Sequence, residues 1–139
     1  MNKEFEQISV KPGFMKHNGG LFFRTISEKE YEFKAKISAN HLNSAGITHG
    51  GFIAALVDAG AGTAAHRSAD NSPCVTISLE LKFISAVRLG QELFGKTKIQ
   101  KKTKSMVFLT CELTADNKIV ATASGVWKIL KLSGAGPGG

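Results

Sequence analysis

The sequence predicts an α+β fold: an antiparallel β-sheet wrapped around one long central helix, in the order β-β-α-β-β-β-β. Two patterns predict it. Between about His49 and His66, the residues Ile53, Leu56, Val57, Gly60, Ala61 and Ala64 recur at the helical period, and the other faces are mostly alanine and glycine. A helix with so little polar surface is expected to be buried on most sides. Elsewhere apolar residues alternate with polar ones, the signature of a sheet with one buried face. One such helix against one such sheet is an α+β arrangement.

Taken in order, residues 1–18 are weakly patterned and read as an irregular or short helical lead-in. Residues 21–26 read as a strand and 27–30 as a turn. Tyr31, Phe33, Ala35 and Ile37 then alternate with Glu32, Lys34, Lys36 and Ser38, so the two segments make a hairpin. A polar loop, 39–48, leads into the helix. Gly60 and Gly62 each cost about 1 kcal/mol of helix propensity, for which close approach of another backbone is the expected compensation. Asn71-Ser72-Pro73 is a breaker. In the next strand Val75, Ile77, Leu79, Leu81 and Phe83 alternate with Thr76, Ser78, Glu80 and Lys82. Residues 91–100 and 105–115 are two further strands, split by Lys101-Lys102-Thr103-Lys104. Asp116-Asn117 is a hairpin turn before a last strand over 118–130. The tail, 133–139, is too rich in glycine to pack and reads as a linker.

Composition narrows the function. The 139 residues suit one domain, placed at 1–132, and an apolar fraction of 42% argues against disorder. No apolar run reaches the roughly 18 residues of a membrane span, and the first residues lack the layout of a signal peptide. These readings give an expectation of a cytoplasmic protein with no membrane partner. Cys74 and Cys111 stand apart, without CxxC or histidines at metal-ligand spacing. They read as reduced core cysteines rather than a disulfide, and no metal site is expected. The net charge of +7 suits a polyanion, either nucleic acid or a phosphorylated cofactor. Lysines that blunt an exposed strand edge account for it equally. No aromatic-interleaved basic motif accompanies the charge, so nucleic acid is not an expected partner.

The chemistry concentrates in Asn43-Ser44-Ala45-Gly46-Ile47-Thr48-His49-Gly50-Gly51 and in Asp58. The loop brings backbone N–H groups to a helix start, where negative charge is stabilised. Asp58 is a lone carboxylate in an apolar helix, where an acid is expensive to bury and is a functional candidate.

That loop, with His41 and Leu42 before it, Leu56-Val57-Asp58 after it and Thr76 opening the next strand, resembles the hotdog-fold acyl-CoA thioesterases, particularly the phenylacetate-degradation (PaaI-like) branch. Phe83-Ile84-Ser85-Ala86-Val87-Arg88-Leu89-Gly90 extends the likeness, with Ala86 where proline is common in the family. The resemblance covers about residues 15–130. It implies a hotdog fold and hydrolysis of a medium-chain or aryl acyl-CoA, with coenzyme A as part of the substrate and no separate cofactor.

The resemblance also implies roles. Gly50 would offer its N–H to the thioester oxygen, as in an oxyanion hole; the alternative is a glycine pair serving a tight turn. Asn43 would donate its amide to the same oxygen, or form an Asx turn. His49 would hydrogen-bond within the loop and hold Asn43. Asp58 would be the general base or nucleophile, against a buried acid paired with a lysine or capping a turn. Thr76 would orient the attacking water, or be an ordinary strand threonine. Phe83, Ser85, Arg88, Lys101 and Lys104 fall where the resembling proteins contact coenzyme A. Gly50 and Asp58 are eight residues apart, or about 12 Å along one helix, so one carbonyl cannot touch both. A site using both needs Asp58 from a second, oppositely running helix: a homodimer at the least. The family's dimers of dimers extend this to a homotetramer. A hotdog hydratase or dehydratase and a non-catalytic acyl-CoA-binding protein are the competing readings.

Overall fold

A computed structural model describes residues 4–131; the expected tail, 133–139, lies outside them. Seven strands form one antiparallel sheet: β1 (Glu6–Ile8), β2 (Leu21–Thr25), β3 (Glu30–Lys36), β4 (Cys74–Phe83), β5 (Glu92–Lys102), β6 (Met106–Ala115) and β7 (Lys118–Ile129). Their spatial order is β1-β2-β3-β5-β6-β7-β4. A four-residue helix, α1 (Phe14–His17), precedes β2. A 3₁₀ turn (Ala39–His41) and the long helix α2 (Gly50–Ser68) separate β3 from β4.

Local chemistry explains the connections. Ser27 Oγ accepts the N–H groups of Lys29 and Glu30 and closes the β2–β3 hairpin. Asp116 and Asn117 both adopt positive φ, 50° and 63°, the pattern of a two-residue turn that matches strand twist. The α2 connection carries the chain from β3 across the sheet to its far edge, so β4 pairs only with β7.

The helix packs on the sheet through Ile53, Leu56, Val57, Ala61, Ala64 and Ala65, which join Phe23, Phe33, Val107 and Leu113 in one core. Full burial of a side chain such as Leu56 stabilises the fold by about 1.5–3 kcal/mol. The helix glycines answer to aromatic rings rather than to another backbone, which corrects the expectation above. A Cβ at Gly60 would collide with the Phe33 ring, and one at Gly95 on β5 would collide with the same ring from the other side. Phe33 is wedged between two glycines. A Cβ at Gly62 would meet Trp127 Nε1 at 3.2 Å.

Three further expectations are corrected. The sheet has a seventh strand, β1, where no pattern predicted one. In the single chain α2 is buried on one face only: Ala54, Ala55, Ala59 and Gly62 are half-buried, and Gly51 and Asp58 are exposed. The alternation along β4 does not translate into a buried face throughout, since Val75, Ile77 and Phe83 are 45%, 51% and 57% exposed. A bulge between Thr76 and Ser78 leaves Ile77 unpaired, and among the described residues the outer edge of β4 has no neighbouring strand.

Both cysteines are free. Burial pushes the Cys111 thiol up to about 12 and raises that of Cys74. Among the described residues, no helix is long and apolar enough to cross a membrane.

Candidate active site

The loop before α2 is a small hairpin of its own. Leu42 bridges Thr48, Asn43 N–H donates to the Ile47 carbonyl at 2.7 Å, and Gly46 takes a positive φ of 79° at the bend. Asn43 Oδ1 accepts from the N–H groups of Ala45 (2.9 Å) and Ile47 (3.3 Å). This is an Asx turn. It occupies the oxygen and leaves the Nδ2 hydrogens without a protein partner among the described residues, so the turn and an outward donor coexist in one side chain.

His49 caps the helix. Its Nδ1 accepts from Gly51 N–H at 2.9 Å, and its own N–H donates to the His41 carbonyl at 2.8 Å. It does not hold Asn43, contrary to expectation, because the N-cap position turns the ring toward the helix's first turn. Neither Gly50 nor Gly51 has positive φ, so no tight turn demands them. A Cβ at Gly51 would stand 3.0 Å from His49 Nδ1, and one at Gly50 would stand 3.4 Å from the Phe83 ring. The Gly50 N–H has no partner among the described residues.

Thr48 ties a second segment to this loop. Its N–H and its buried hydroxyl both donate to the Val87 carbonyl, at 2.8 and 2.7 Å. Residues 83–87 are thereby held across the helix start. Asn43, Gly50, Ile53, Phe83 and Ser85 line one hollow of about 280 Å³. Larger grooves exist, one of about 490 Å³ on the outer sheet face beside Lys96 and Glu112. None of those found contains Asn43, Gly50, Asp58 or Thr76.

Further along α2, Thr76 Oγ1 donates to Asp58 Oδ1 at 2.6 Å. Both side chains are exposed in the single chain, which corrects the expectation of a buried acid. Position 58 falls on an exposed flank of the helix, facing the edge strand β4. Among the described residues no lysine or arginine pairs with Asp58.

Arg88 lies in the loop after this segment. Its backbone N–H donates to Gln91 Oε1 at 2.7 Å, and its guanidinium makes no ion pair among the described residues. Lys101 and Lys104 are elsewhere. β5 begins at Glu92 beside the Arg88 loop, so Lys101 lies about 30 Å along it at roughly 3.3 Å per residue. Lys104 follows in the β5–β6 turn. Within one chain Arg88 therefore stands far from Lys101 and Lys104. No cluster of three or more His, Cys, Asp or Glu able to hold a metal occurs among the described residues.

Two residues of the site escaped the sequence reading, His41 and Thr48, although both stand in the quoted motif. Both are buried polar side chains in a polar loop, and burial is what the pattern could not supply.

A sequence profile of the thioesterase superfamily matches residues 45–122, from the loop before α2 into β7. A candidate esterase of Pseudomonas aeruginosa is 32% identical over 112 residues, covering 80% of this chain and 84% of that protein. Acyl-coenzyme A thioesterase 13 of Mus musculus is 29% identical over 113 residues, covering 81% of each. Among solved structures, the PaaI protein of the E. coli phenylacetic acid degradation operon superposes with a TM-score of 0.75 at 19% identity, covering 84% of this chain and 83% of that one. The sheet and helix are those of the hotdog fold.

Proposed function

The chain belongs to the thioesterase superfamily and is a thioester hydrolase, and from that premise we propose that it cleaves a medium-chain or aryl acyl-CoA to the free acid and coenzyme A. The observation that carries this reading is a pair of separate half-sites on one helix: the hollow lined by Asn43 and Gly50, and the Asp58–Thr76 pair on the open face.

The thioester oxygen would sit at the Gly50 N–H and the Asn43 amide, two donors without partners among the described residues. Donors already aimed at the developing charge cost no reorganisation as the carbonyl is attacked. His49 sets the helix start that presents Gly50. Asp58 would come from the other subunit and accept a proton from the attacking water, with Thr76 orienting the pair. The tetrahedral intermediate then collapses, the C–S bond breaks, and the proton held by Asp58 passes to the departing thiolate. In the nucleophile variant Asp58 attacks the carbonyl carbon, the C–S bond breaks and the coenzyme A thiolate departs, and water then opens the resulting anhydride to the free acid and the regenerated carboxylate.

Two features support the two-chain arrangement. The half-sites are about 12 Å apart along one helix axis, beyond the reach of one carbonyl. The face of α2 that carries Asp58 is uncovered, and the edge of β4 beside it is unpaired, so a second copy completes both. An antiparallel partner would also bring Lys101 of the partner subunit and Lys104 of the partner subunit toward Phe83, Ser85 and Arg88, where the nucleotide of coenzyme A would lie. Phe22 and Phe108, exposed on the outer sheet face, are where two dimers would meet in a homotetramer. The two free thiols suit the reducing cytoplasm. Coenzyme A enters as substrate, and no further cofactor is required.

The test is release of coenzyme A from a panel of straight-chain and aryl acyl-CoA esters. Turnover of at least one medium-chain or aryl ester is expected. Hydration of enoyl-CoA without thioester cleavage, or tight acyl-CoA binding without turnover, would replace this reading with one of its competitors.

A further inference from the structure

We infer that His41 is the positioning residue of the oxyanion site, the group through which Asn43 and Gly50 are held in register; the inference rests on the proposed function above. His41 is 4% exposed although it stands in a polar loop. Its ring lies flat on Phe52, in the first turns of α2, with centroids 3.6 Å apart and planes 10° from parallel. Nδ1 faces the Ser38 N–H at 3.0 Å, and Nε2 faces the Asn18 carbonyl at 2.7 Å. A carbonyl only accepts and an N–H only donates. Nε2 therefore carries the hydrogen, Nδ1 is bare, and the ring is the neutral Nε2–H tautomer.

Three segments meet on this one ring: the turn after α1, the 3₁₀ turn and the start of α2. The backbone of the same residue adds a fourth contact, since its carbonyl accepts the His49 N–H at 2.8 Å. Asn43 follows two residues after His41, and Gly50 follows one after His49. A tilt of the imidazole thus moves both proposed oxyanion donors, and moves them relative to each other. A buried phenylalanine would reproduce the stacking but leave the Asn18 carbonyl and the Ser38 N–H unpaired, which is costly in a buried place. Histidine satisfies one acceptor and one donor at opposite edges of a flat ring.

The test compares three substitutions. His41→Phe keeps only the stacking. His41→Asn restores an acceptor near the position of Nδ1, and His41→Gln restores a donor near that of Nε2. With folding checked by circular dichroism, His41→Phe is expected to lower kcat about 10- to 10²-fold, the scale of an ångström-sized misplacement, with KM within about twofold. Asn and Gln should each recover part of the loss. The decisive step is a double-mutant cycle: in an Asn43→Ala background, His41→Phe should cost severalfold less than it does alone, because one of the two donors it positions is gone. An undiminished loss in that background, or a normal kcat in folded His41→Phe, overturns the inference while leaving Asn43 in place. A normal kcat in Asn43→Ala alone removes Asn43 from the oxyanion assignment and overturns the inference with it. Should His41→Phe fail to fold, the ¹⁵N signals of the wild-type imidazole decide: a protonated Nδ1 with a bare Nε2 would sink the arrangement.

Discussion

The two half-sites on α2 are built in opposite ways. Around Asn43 and Gly50 almost every polar group is spoken for within the chain. Asn43 Oδ1 accepts twice, Thr48 donates twice to Val87, and His49 and His41 close the base of the loop. Around Asp58 there is, among the described residues, one hydrogen bond, from Thr76, on an exposed helix face beside the open outer edge of β4. The difference follows from what each half is proposed to do. Oxyanion donors work because they are fixed before charge develops, so one chain fixes them. The proposed base is left open on the exposed helix face, where the second chain we propose would enclose it together with its attacking water.

Four experiments would break or sharpen that contrast. The largest effect is expected from Asp58→Asn, which keeps shape and removes the base. Turnover should fall by at least about 10²-fold with the melting temperature nearly unchanged, since the side chain is exposed. Near-normal turnover in the folded variant would take Asp58 out of the mechanism. Asn43→Ala comes next, with turnover lowered roughly 10- to 10³-fold. Because the Asx turn goes too, this variant should also melt earlier, and a loss of stability alone would leave the oxyanion to Gly50. Thr76→Val, equal in shape but lacking the hydroxyl, should cost about tenfold in kcat, the worth of one hydrogen bond to a charged group. An unaltered rate would make Thr76 an ordinary strand residue.

The smallest deficit belongs to the sharpest test. Asn43→Ala and Asp58→Asn, each nearly inactive alone, are mixed and allowed to exchange subunits. A mixed dimer holds one site with both substitutions and one with neither. Random mixing should therefore restore about a quarter of wild-type activity, given a symmetric two-chain interface. If exchange is demonstrated by a mass tag and activity stays absent, each site is built within one chain.

Much of the fold was legible because its elements are long and strongly periodic. The helix was expected to start at His49 or Gly50, and it starts at Gly50. It ends two residues beyond His66, whose Nδ1 lies 2.7 Å from the Ser72 carbonyl, a contact set by the turn and not by periodicity. β1 was illegible for a different reason. Three residues with one apolar side chain make no pattern, and what holds them is not local: β1 pairs with β2 from Glu6 opposite Phe23 to Ile8 opposite Leu21, and Arg67 on α2 reaches Glu6 at 2.5 Å. The site was legible as a set of residues and not as a geometry. Whether His49 would turn to Asn43 or to Gly51 is decided by cap geometry over a few ångströms. That Lys101 stands about 30 Å along β5 from the Arg88 loop follows from strand length, whereas which face of the site each lysine could reach depends on a geometry that composition does not carry.

The placement of β4 at the far edge also dictates a schedule. The strand is made before β5, β6 and β7, yet its only partner is β7, whose last paired residue, Ile129, lies opposite Cys74. The hairpins β5–β6 and β6–β7 close locally, whereas β4 must wait for the end of the chain. Forty-six residues separate Phe83 from Ile129, roughly 2–9 seconds of synthesis at about 5–20 residues per second. Throughout that interval the backbone groups of β4 lack their ladder partners, so both edges of β4 are open in the nascent chain where, among the described residues, the folded chain leaves one open.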